Sequence, residues 1–486
     1  MSKDIIELKP AALWRIFKDM CNVPRPSKNE ERIQAFAKKF GEDLGLETKI
    51  DEIGNVIIKK PATKGMEDRQ TVVLQAHLDM VPQKNSDVEH DFDNDPIQPY
   101  IDGDWVKAKG TTLGSDNGIG ASAAMAILES TDIPHGPVEV LLTTDEETGM
   151  TGANGIKPGW LDGDILINLD SEDEGELYIG CAGGVDTIVK FHYKEKSVPA
   201  DMTAYIINVA GLKGGHSGLD IHLGRGNACL IINKLFLEAS DRFGLRLASI
   251  DAGSLRNAIP REAFATVVVP DSNKKDFEGF VAEYAEKIKE SLKEIDPGFC
   301  IKIQKTDIPE FLIDEETQNN LFKAVDNCPN GVIAVNKDMP EVIETSTNLA
   351  IIKSGNGVIE VASLQRSAID GDRDKVAKEF YDVFKSVGGK PEFSGAYPGW
   401  KPNVDSPILE EMKDVYFKMY GKIPEVKIIH AGLECGILGA VYTNWDMISF
   451  GPTIRNPHSP DEMVNITTVE KFWDFLVEIL KNIPGK

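Results

Sequence analysis

The chain has 486 residues, a formal net charge of -25 and a pI near 4.8, and this acidity excludes several classes of partner. Nucleic acid and anionic lipid are both bound through basic surface, so neither is expected. No run approaches the roughly 18 apolar residues of a membrane span, the first ten residues lack the apolar core of a signal peptide, and a cytoplasmic protein of two domains is predicted.

Six widely spaced cysteines form no CxxC pair. In a chain of this length, that pattern predicts reduced, mostly buried thiols in a reducing compartment. Cysteine is therefore not expected among the metal ligands.

The first part of the chain predicts alternating helices and strands. Apolar periodicity indicates helices at Ala11–Cys21 and Lys28–Leu44, the second capped by Ser27. Residues 48–59 are typical of paired strands with a turn at residues 52–55. The remaining predicted elements of this part are strands at Thr71–Ala76, Val138–Thr144 and Ile165–Leu169 and a helix of small residues at Ile119–Ser130.

Each of the three buried strands ends at side chains that can bind metal. His77 and Asp79 follow the first strand, Glu146 and Glu147 the second, and Asp170 the third. Open α/β sheets place their ligand sites at the carboxyl ends of strands, so these side chains are expected to lie close together.

The pattern changes at Val185, after which no further cluster of ligand-type residues occurs until the end of the chain. The elements predicted there are strands at Tyr205–Ala210, Phe264–Val269 and Phe299–Lys305 and helices at Asn227–Ser240 and Phe277–Ile295. Candidate ligands lie on both sides of this stretch. The sequence therefore predicts a catalytic domain of residues 1–184 and 386–486 with an inserted α+β domain of residues 185–385. No internal repeat is visible in the sequence.

The residue types and spacings suit metal-assisted hydrolysis. In His77-Leu78-Asp79 the imidazole can bind a metal, while the carboxylate two residues on lies on the same face and supports it. Asp116, in a glycine-rich loop before a helix, could bridge two ions. Side chains of adjacent strand residues point to opposite sides, so one of Glu146 and Glu147 can bind metal while the other acts as a base.

For each motif alone, an ordinary capping or solvated role is a good alternative. The set is more informative than its members, because an unpaired carboxylate such as Asp170 after a buried strand would be costly. His458, in Asn456-Pro457-His458-Ser459, adds a second imidazole. Two nitrogen ligands and several oxygen ligands without a thiolate suit zinc, cobalt or manganese, and zinc is favoured.

These motifs resemble the zinc aminopeptidase, aminoacylase and carnosinase family of co-catalytic metallopeptidases. The resemblance covers essentially the whole chain and rests on residues 75–81, 112–120, 144–149, 214–218, 430–436 and 457–460. It implies an α/β fold, with a mixed-sheet catalytic domain and an inserted α+β domain. This inserted domain would close on the substrate as a lid and mediate homodimerisation. It also implies two divalent metal ions per subunit.

The resemblance implies five metal ligands, which are His77 and Asp170 on one ion, Glu147 and His458 on the other, and Asp116 between them. Asp79 would orient His77. Glu146 would be the general base that takes a proton from the attacking water and passes it to the leaving amine.

The inserted domain would supply the substrate contacts. By resemblance, His216 stabilises the oxyanion, from its own subunit or from the partner, and Arg366 holds the C-terminal carboxylate of the substrate through its bidentate geometry. Further polar contacts are assigned to Asn257, Thr347 and Asn348. Outside that domain, we infer that Glu434 faces the free amino end of the substrate, since a carboxylate suits an ammonium group.

The expected function is hydrolysis of unblocked dipeptides, including those with C-terminal histidine such as carnosine. An N-acyl-amino-acid or succinyl-diaminopimelate deacylase on the same scaffold is the alternative enzyme. A peptide-binding protein without turnover is the alternative from another class.

Overall fold

The computed structural model describes residues 4–337 and 339–486 of the chain. These residues form two compact units. Unit 1 contains the chain up to Gly180, together with Trp400–Ile428 and Leu433–Lys486. Unit 2 contains Cys181–Gly399 and Ile429–Gly432.

The elements up to Cys181 are α1 Ala11–Cys21, α2 Glu31–Asp43, β1 Glu47–Ile50, β2 Val56–Lys60, β3 Val72–His77, β4 Pro99–Asp102, β5 Trp105–Ala108, α3 Ser115–Glu129, β6 Val138–Thr143, α4 Glu146–Gly149, α5 Thr151–Gly155, β7 Ile165–Asn168 and β8 Glu176–Cys181. A short 3-10 helix, Ile5–Glu7, precedes them.

The elements of unit 2 are β9 Gly183–His192, β10 Glu195–Lys196, β11 Met202–Ala210, β12 Gly215–His216, α6 Ala228–Phe243, β13 Arg246–Ala252, β14 Ala258–Ile259, β15 Ala263–Pro270, α7 Lys274–Leu292, β16 Cys300–Thr306, β17 Leu312–Ile313, α8 Glu315–Asn327, β18 Gly331–Val335, β19 Ile343–Gly355, β20 Val358–Ser367, α9 Asp370–Ser386 and β21 Lys390–Tyr397. A 3-10 helix, Ile221–Leu223, follows β12.

The last part of the chain contains α10 Pro407–Tyr420, β22 Glu425–Ile429, α11 Glu434–Val441, β23 Asp446–Ser449, β24 Ile454–Arg455, β25 Met463–Asn465 and α12 Ile466–Asn482.

Unit 1 is built on a mixed eight-stranded sheet in the order β1-β2-β6-β3-β7-β23-β8-β22. The central strand β3 runs parallel to both β6 and β7. All residues of these three strands are buried, as expected for strands covered on both faces. Their carboxyl ends therefore meet at one edge, as predicted.

Unit 2 is an antiparallel sheet in the order β16-β11-β15-β13-β19-β20-β9-β21, with β18 added beside β19. Helices α6 to α9 contact this sheet, and a large apolar core lies between the helices and the sheet. The prediction of an α/β protein with a mixed sheet and an α+β unit is confirmed.

Two local predictions differ from the structure. Helix α2 begins at Glu31 rather than Lys28, and Ser27 does not cap it. Lys28 has a φ of 72°, which excludes it from a helix, and the Ser27 hydroxyl donates to Asp79 Oδ2 at 2.8 Å instead. Unit 2 also extends to Gly399 rather than to residue 385, because β21 pairs with β9.

None of the helices in the described part of the chain combines the length and the apolarity needed to span a membrane.

Candidate metal centre

The five side chains predicted to bind metal lie together in unit 1. His77 Nε2 is 3.2 Å from Asp116 Oδ1 and 3.6 Å from Asp170 Oδ1. His458 Nε2 is 3.3 Å from Asp116 Oδ2 and 2.9 Å from Glu147 Oε2. The two oxygens of Asp116 thus face two different histidines, each beside a further carboxylate. This arrangement suits one carboxylate shared between two adjacent ions.

The distances between possible ligand atoms support the same grouping. One set contains His77, Asp116 and Asp170, and a second contains Asp116, Glu147 and His458. Within each set, the atoms that could bind an ion lie within 4.8 Å of one another. Glu146 belongs to a third set with His77 and Glu147, so it stands beside the centre.

The electrostatics of these residues fit a bound cation. Burial raises the pKa of Asp170 and of Glu146 well above the ordinary carboxyl value, and neighbouring carboxylates raise it further. Burial alone would raise the pKa of Asp116, but hydrogen bonds from His458 and His77 outweigh it and lower that pKa. Hydrogen bonds to Asp116 and Glu147 raise the pKa of His458 to about 11.

One observation that fits a bound cation is Glu147 Oε1, which is buried and has no hydrogen-bond partner among the described residues. A buried carboxylate oxygen without a donor is costly, and a divalent cation would satisfy it while neutralising the neighbouring charges. The donor set of imidazoles and carboxylates fits such an ion. The residues present can therefore hold metal.

Asp79 connects the histidine to the two glutamates. Its Oδ1 lies 3.3 Å from His77 Nδ1 and accepts from the Glu146 backbone N–H at 3.0 Å. Its Oδ2 accepts from the Glu147 N–H at 3.3 Å. Because Asp79 is fully buried, it holds the imidazole of His77 and the start of α4 in one fixed arrangement.

Glu434 is buried beside the centre at the start of α11. Its Oε2 accepts from Gln75 Nε2 at 2.6 Å and from the Thr143 hydroxyl at 2.7 Å, while its Oε1 is buried and has no hydrogen-bond partner in the described part of the chain. Burial raises the pKa of Glu434 to about 7. One oxygen is thus held by the end of the sheet and the other lacks a donor.

A second polar cluster lies in unit 2 around Arg366, which is buried. Its Nη1 donates to the Tyr397 hydroxyl at 2.9 Å, its Nε to the Ser217 hydroxyl at 3.4 Å, and its Nη2 lies 3.5 Å from His216 Nε2. Burial, and then the charge of Arg366, lower the pKa of His216 to about 4. A guanidinium beside a neutral imidazole and two hydroxyls suits an anionic group.

The three other polar residues predicted in this unit are placed differently from one another. Asn348 is buried and donates to the Ala258 carbonyl at 2.8 Å, and its Oδ1 has no hydrogen-bond partner within residues 4–337 and 339–486. Asn257 is exposed, and its carbonyl accepts from the Ser217 N–H. The structure does not bring Thr347 to the cluster, because strand alternation puts it on the opposite face of β19; there it bonds Ser363 and Gln365.

The comparisons with known proteins agree with this chemistry. Residues 73–482 match the model of peptidase family M20/M25/M40. The chain is 44% identical over 483 residues to the cytosol non-specific dipeptidase of Escherichia coli strain K12, covering 99% of this chain and 100% of that protein.

The chain belongs to peptidase family M20/M25/M40.

Solved structures agree. The aminoacylhistidine dipeptidase of Vibrio alginolyticus superposes with a TM-score of 0.91 and 48% identity, over 100% of this chain and 99% of that chain. The aminopeptidase PepT of Bacillus cereus, at 17% identity, a TM-score of 0.62 and coverage of 98% and 99%, shares the fold. The predictions of family and of an enzyme that hydrolyses peptide bonds are confirmed.

In this M20/M25/M40 chain, sequence reasoning missed the residues that hold the Asp116 loop. Glu462 is buried, and its carboxylate accepts from the backbone N–H groups of Leu113, Gly114 and Ser115 at 2.7, 2.9 and 2.7 Å. Gly114 has a φ of 70°, which favours glycine, and its carbonyl accepts from Arg25. Glu462 lies far away in sequence, in an ordinary acidic loop, so nothing in the sequence indicated this contact.

Replacing Glu462 by glutamine is expected to destabilise unit 1 of this M20/M25/M40 enzyme by about 3 kcal/mol or more, since buried N–H donors would lose their acceptor. The free energy of unfolding in urea measures this. The matched change at exposed Glu470 on α12 should have almost no effect. An equally small effect at Glu462 would show that the carboxylate does not hold the loop.

His430 was also missed as a member of the Arg366 cluster. It is buried, and its Nε2 lies 2.7 Å from the Ser346 hydroxyl. Burial, and then the charge of Arg366, lower its pKa to about 3. His430 is therefore neutral in the folded chain at neutral pH.

The depressed pKa of His430 predicts acid sensitivity. The unfolded chain takes up a proton at this residue below its ordinary pKa of about 6.5, whereas the folded chain does not, so stability falls as the pH falls from there towards the folded value. At about pH 5 this costs about 2 kcal/mol. In the His430→Gln variant, the free energy of unfolding in urea should fall less between neutral pH and about pH 5 than it does in the wild type, by a corresponding amount. Exposed His192 of unit 2 provides the control substitution.

Proposed function

We propose that this M20/M25/M40 enzyme hydrolyses the peptide bond of unblocked dipeptides, including Xaa-His substrates such as carnosine. We further propose that it uses two divalent ions per subunit, with zinc favoured. The names of the relatives from E. coli and V. alginolyticus support the substrate class. Within the structure, the observation that carries the proposal is Asp116, whose two oxygens face His77 and His458.

In this proposal His77 and Asp170 would hold one ion, Glu147 and His458 would hold the other, and Asp116 would serve as a ligand shared by the two groups. When bound, such ions polarise a scissile carbonyl and make water a better nucleophile at neutral pH. Asp79 keeps the His77 ring and the Glu146 backbone in register through the contacts described above.

Glu146 is proposed as the general base. Its side chain lies among the possible ligand atoms. However, neither the pair of His77 and Asp170 nor the pair of His458 and Glu147 needs Glu146 as a further ligand. A carboxylate at this position can accept a proton from water and deliver that proton to the leaving amine. The neighbouring Glu147 is assigned to metal instead, because it contacts His458 directly.

Two charged residues are proposed to hold the ends of the substrate. Arg366 would bind the C-terminal carboxylate, with His216 donating to the oxyanion of the carbonyl and Asn257 and Asn348 adding polar contacts. At the other end, Glu434 would bind the free ammonium group through Oε1, for which the described residues supply no hydrogen-bond donor. Thr347 would support Arg366 only indirectly, through its buried hydrogen bonds with Ser363 and Gln365.

Replacing Glu434 by glutamine is expected to raise KM for a free dipeptide about 10- to 100-fold, because a hydrogen bond to a charged partner contributes about 1.5–3 kcal/mol. The amide keeps the shape and loses the charge. Steady-state kinetics would measure the change in KM. The Gln75→Glu variant cannot replace Glu434→Gln in this experiment, because it adds a charge beside Glu434 instead of removing one. A KM that does not move would separate Glu434 from ammonium binding.

The test of the proposed function is hydrolysis of a panel of free dipeptides, including carnosine, with an N-acetylated control, by metal-free protein before and after addition of zinc. We expect zinc-dependent release of amino acids from the unblocked dipeptides alone. Cleavage of the blocked control alone would favour the deacylase. Metal binding without any cleavage would favour the peptide-binding alternative.

Two expectations concern the whole molecule. We propose a cytosolic location, in line with the name of the E. coli relative. A homodimer through unit 2 stays a prediction, which light scattering of the purified protein would test.

A further inference from the structure

A row of buried polar side chains crosses four neighbouring strands of unit 1 beside Glu434. Asn168 on β7 is the strand partner of both Gln75 on β3 and Ser449 on β23, so these three side chains lie side by side on one face of the sheet. Thr143, at the end of β6, borders Gln75 on its other side. We call Thr143, Gln75, Asn168 and Ser449 the polar row.

Hydrogen bonds join the polar row into one chain that ends at Glu434. Ser449 Oγ donates to Asn168 Oδ1 at 2.5 Å, and Asn168 Nδ2 donates to Gln75 Oε1 at 2.5 Å. Gln75 Nε2 and the Thr143 hydroxyl then donate to Glu434 Oε2. A buried amide or hydroxyl costs free energy unless it is hydrogen-bonded, and in this chain each group satisfies the next one.

The charge of Glu434 explains the direction of this chain. An ionised carboxylate only accepts hydrogen bonds, whereas an amide presents a donor on one side and an acceptor on the other. Gln75 must therefore turn its NH2 group to Glu434 and its oxygen to Asn168, which must turn its own NH2 group to Gln75. Ser449 must then donate to Asn168, and its oxygen is left to accept from Ser171 Oγ, 2.7 Å away. Every donor of the chain points towards Glu434.

This direction favours an ionised and fixed Glu434. A proton on Oε2 would find no acceptor there unless both buried amides turned over. Two donors to one oxygen favour the charged form of a carboxylate, and hydrogen bonds in a chain polarise and strengthen one another. The chain therefore holds Oε2 in place and opposes the loss of charge that burial favours.

Within the described residues, one oxygen of this network lacks a hydrogen-bond partner, and it is Glu434 Oε1. A metal ion is not the expected partner, because Glu434 belongs to none of the groups of possible metal ligands in the described part of the chain. A ligand with a positively charged N–H donor would satisfy Oε1 and balance the charge, since charge-assisted hydrogen bonds are the strong ones. An ammonium group fits both needs.

We propose that Gln75, Asn168 and Ser449 are positioning residues, which hold Glu434 as an oriented anion for the ammonium group of the substrate. They act through Glu434 rather than through contacts with the substrate. The same chain selects against N-acylated ligands, because an amide nitrogen brings no positive charge to balance Glu434. This inference rests on the role of Glu434 in the proposed function.

The test is a double-mutant cycle with Glu434→Gln. Gln75→Met, which has a similar volume and removes a donor, should raise KM for a free dipeptide about 10-fold, the contribution of one hydrogen bond to a charged group. Asn168→Leu and Ser449→Ala should raise KM by successively smaller factors, and kcat should change much less. In the Glu434→Gln background none of the three should raise KM further, because the carboxylate through which they act is gone.

The opposite results are equally clear. Equal effects on KM in both backgrounds, or a loss of kcat with an unchanged KM, would show that the polar row only supports the fold, and would overturn the inference. Gln318→Met is the matched control, because Gln318 is an equally buried glutamine in unit 2 that accepts from the Leu247 N–H. It should leave KM unchanged. Thr143→Val removes the other donor to Glu434 Oε2 and replaces Gln75→Met if that variant does not fold.

A second readout does not require activity. The side-chain amides of glutamine and asparagine are labelled with 15N and followed by NMR, and the signals of Gln75 and Asn168 are assigned through their loss in Gln75→Met and Asn168→Leu. Glu434→Gln should move both signals, since it removes the acceptor that orients both amides, whereas the change of exposed Glu470 to glutamine should move neither. An Asn168 signal that ignores Glu434→Gln would contradict the inference.

The same signals separate this inference from the proposed function. Addition of a free dipeptide should move the Gln75 signal, and addition of the N-acetylated dipeptide should not. A wild type that shows this selective response but cleaves no dipeptide would refute only the proposed hydrolysis. A wild type that cleaves free dipeptides while its Gln75 signal responds equally to both compounds would refute only the role of the polar row.

Discussion

Replacing Glu146 by glutamine is expected to lower kcat for dipeptide hydrolysis by about 10²- to 10⁴-fold, the usual contribution of a general base. The amide has nearly the same shape, cannot take the proton of the attacking water and removes one charge from a crowded buried site. The metal content should be unchanged, because Asp170 and Glu147, rather than Glu146, supply the carboxylate oxygens beside His77 and His458. Steady-state kinetics and elemental analysis of the same sample measure the two quantities.

A matched control is Glu139→Gln, which removes another buried carboxylate of unit 1, one that pairs with Lys59 rather than with a histidine. It should leave kcat close to that of the wild type. Near-normal turnover in Glu146→Gln with metal retained would remove Glu146 from the base role. Loss of metal together with turnover would assign Glu146 to metal binding instead.

The positions of the candidate metal-binding motifs were predictable because strand ends are local features. A buried apolar run has few alternatives to a strand, and His77 and Asp170 follow directly from where β3 and β7 end. Parallel pairing of β3 with β6 and β7 then brings these ends together. Element type and parallel order suffice for that prediction.

The supporting residues could not be predicted, since their partners lie far apart in the chain. Glu462 holds a loop nearly 350 positions earlier in sequence, and Tyr397 reaches Arg366 from a strand predicted to lie outside the inserted domain. Ser27 shows the opposite case, in which a local signal was misleading. Serine is a common helix cap, but the hydroxyl of Ser27 donates to the buried carboxylate of Asp79 instead. Long-range contacts of single polar atoms leave no periodic signal in the sequence.

Unit 2 contains two groups of elements in the same order, β11-α6-β13-β15-α7-β16 and β9-α8-β19-β20-α9-β21, and this repeat was missed for a related reason. The second group is interrupted after β9 by the whole of the first, so no constant spacing separates corresponding residues. Repeats are found in sequence through a fixed period, and a nested repeat has none. Only the strand order and the pairing of β13 with β19 reveal it.

Replacing Arg366 by alanine is expected to lower kcat/KM for a free dipeptide by about 10²- to 10³-fold, because truncating one partner of a buried charged pair costs about 2–5 kcal/mol. The guanidinium is already fixed by Tyr397 and Ser217, so its donors are oriented before substrate binds. Arg366→Lys should recover only part of the loss, since an ammonium lacks the planar fork. Steady-state kinetics of both variants measure this.

A dipeptide with an amidated C-terminus identifies the group that Arg366 binds. The wild type should cleave it poorly, and Arg366→Ala should cleave it no worse than the wild type does, because the lost contact is the same in both cases. Arg256→Ala, which removes a more exposed arginine of unit 2 paired with Asp186, controls for loss of positive charge. If Arg366→Ala lowers cleavage of the amide as strongly as that of the free acid, Arg366 acts on another part of the substrate. The best-placed anion is then the oxyanion of the reacting carbonyl, because Arg366 lies beside His216, the residue proposed to donate to it.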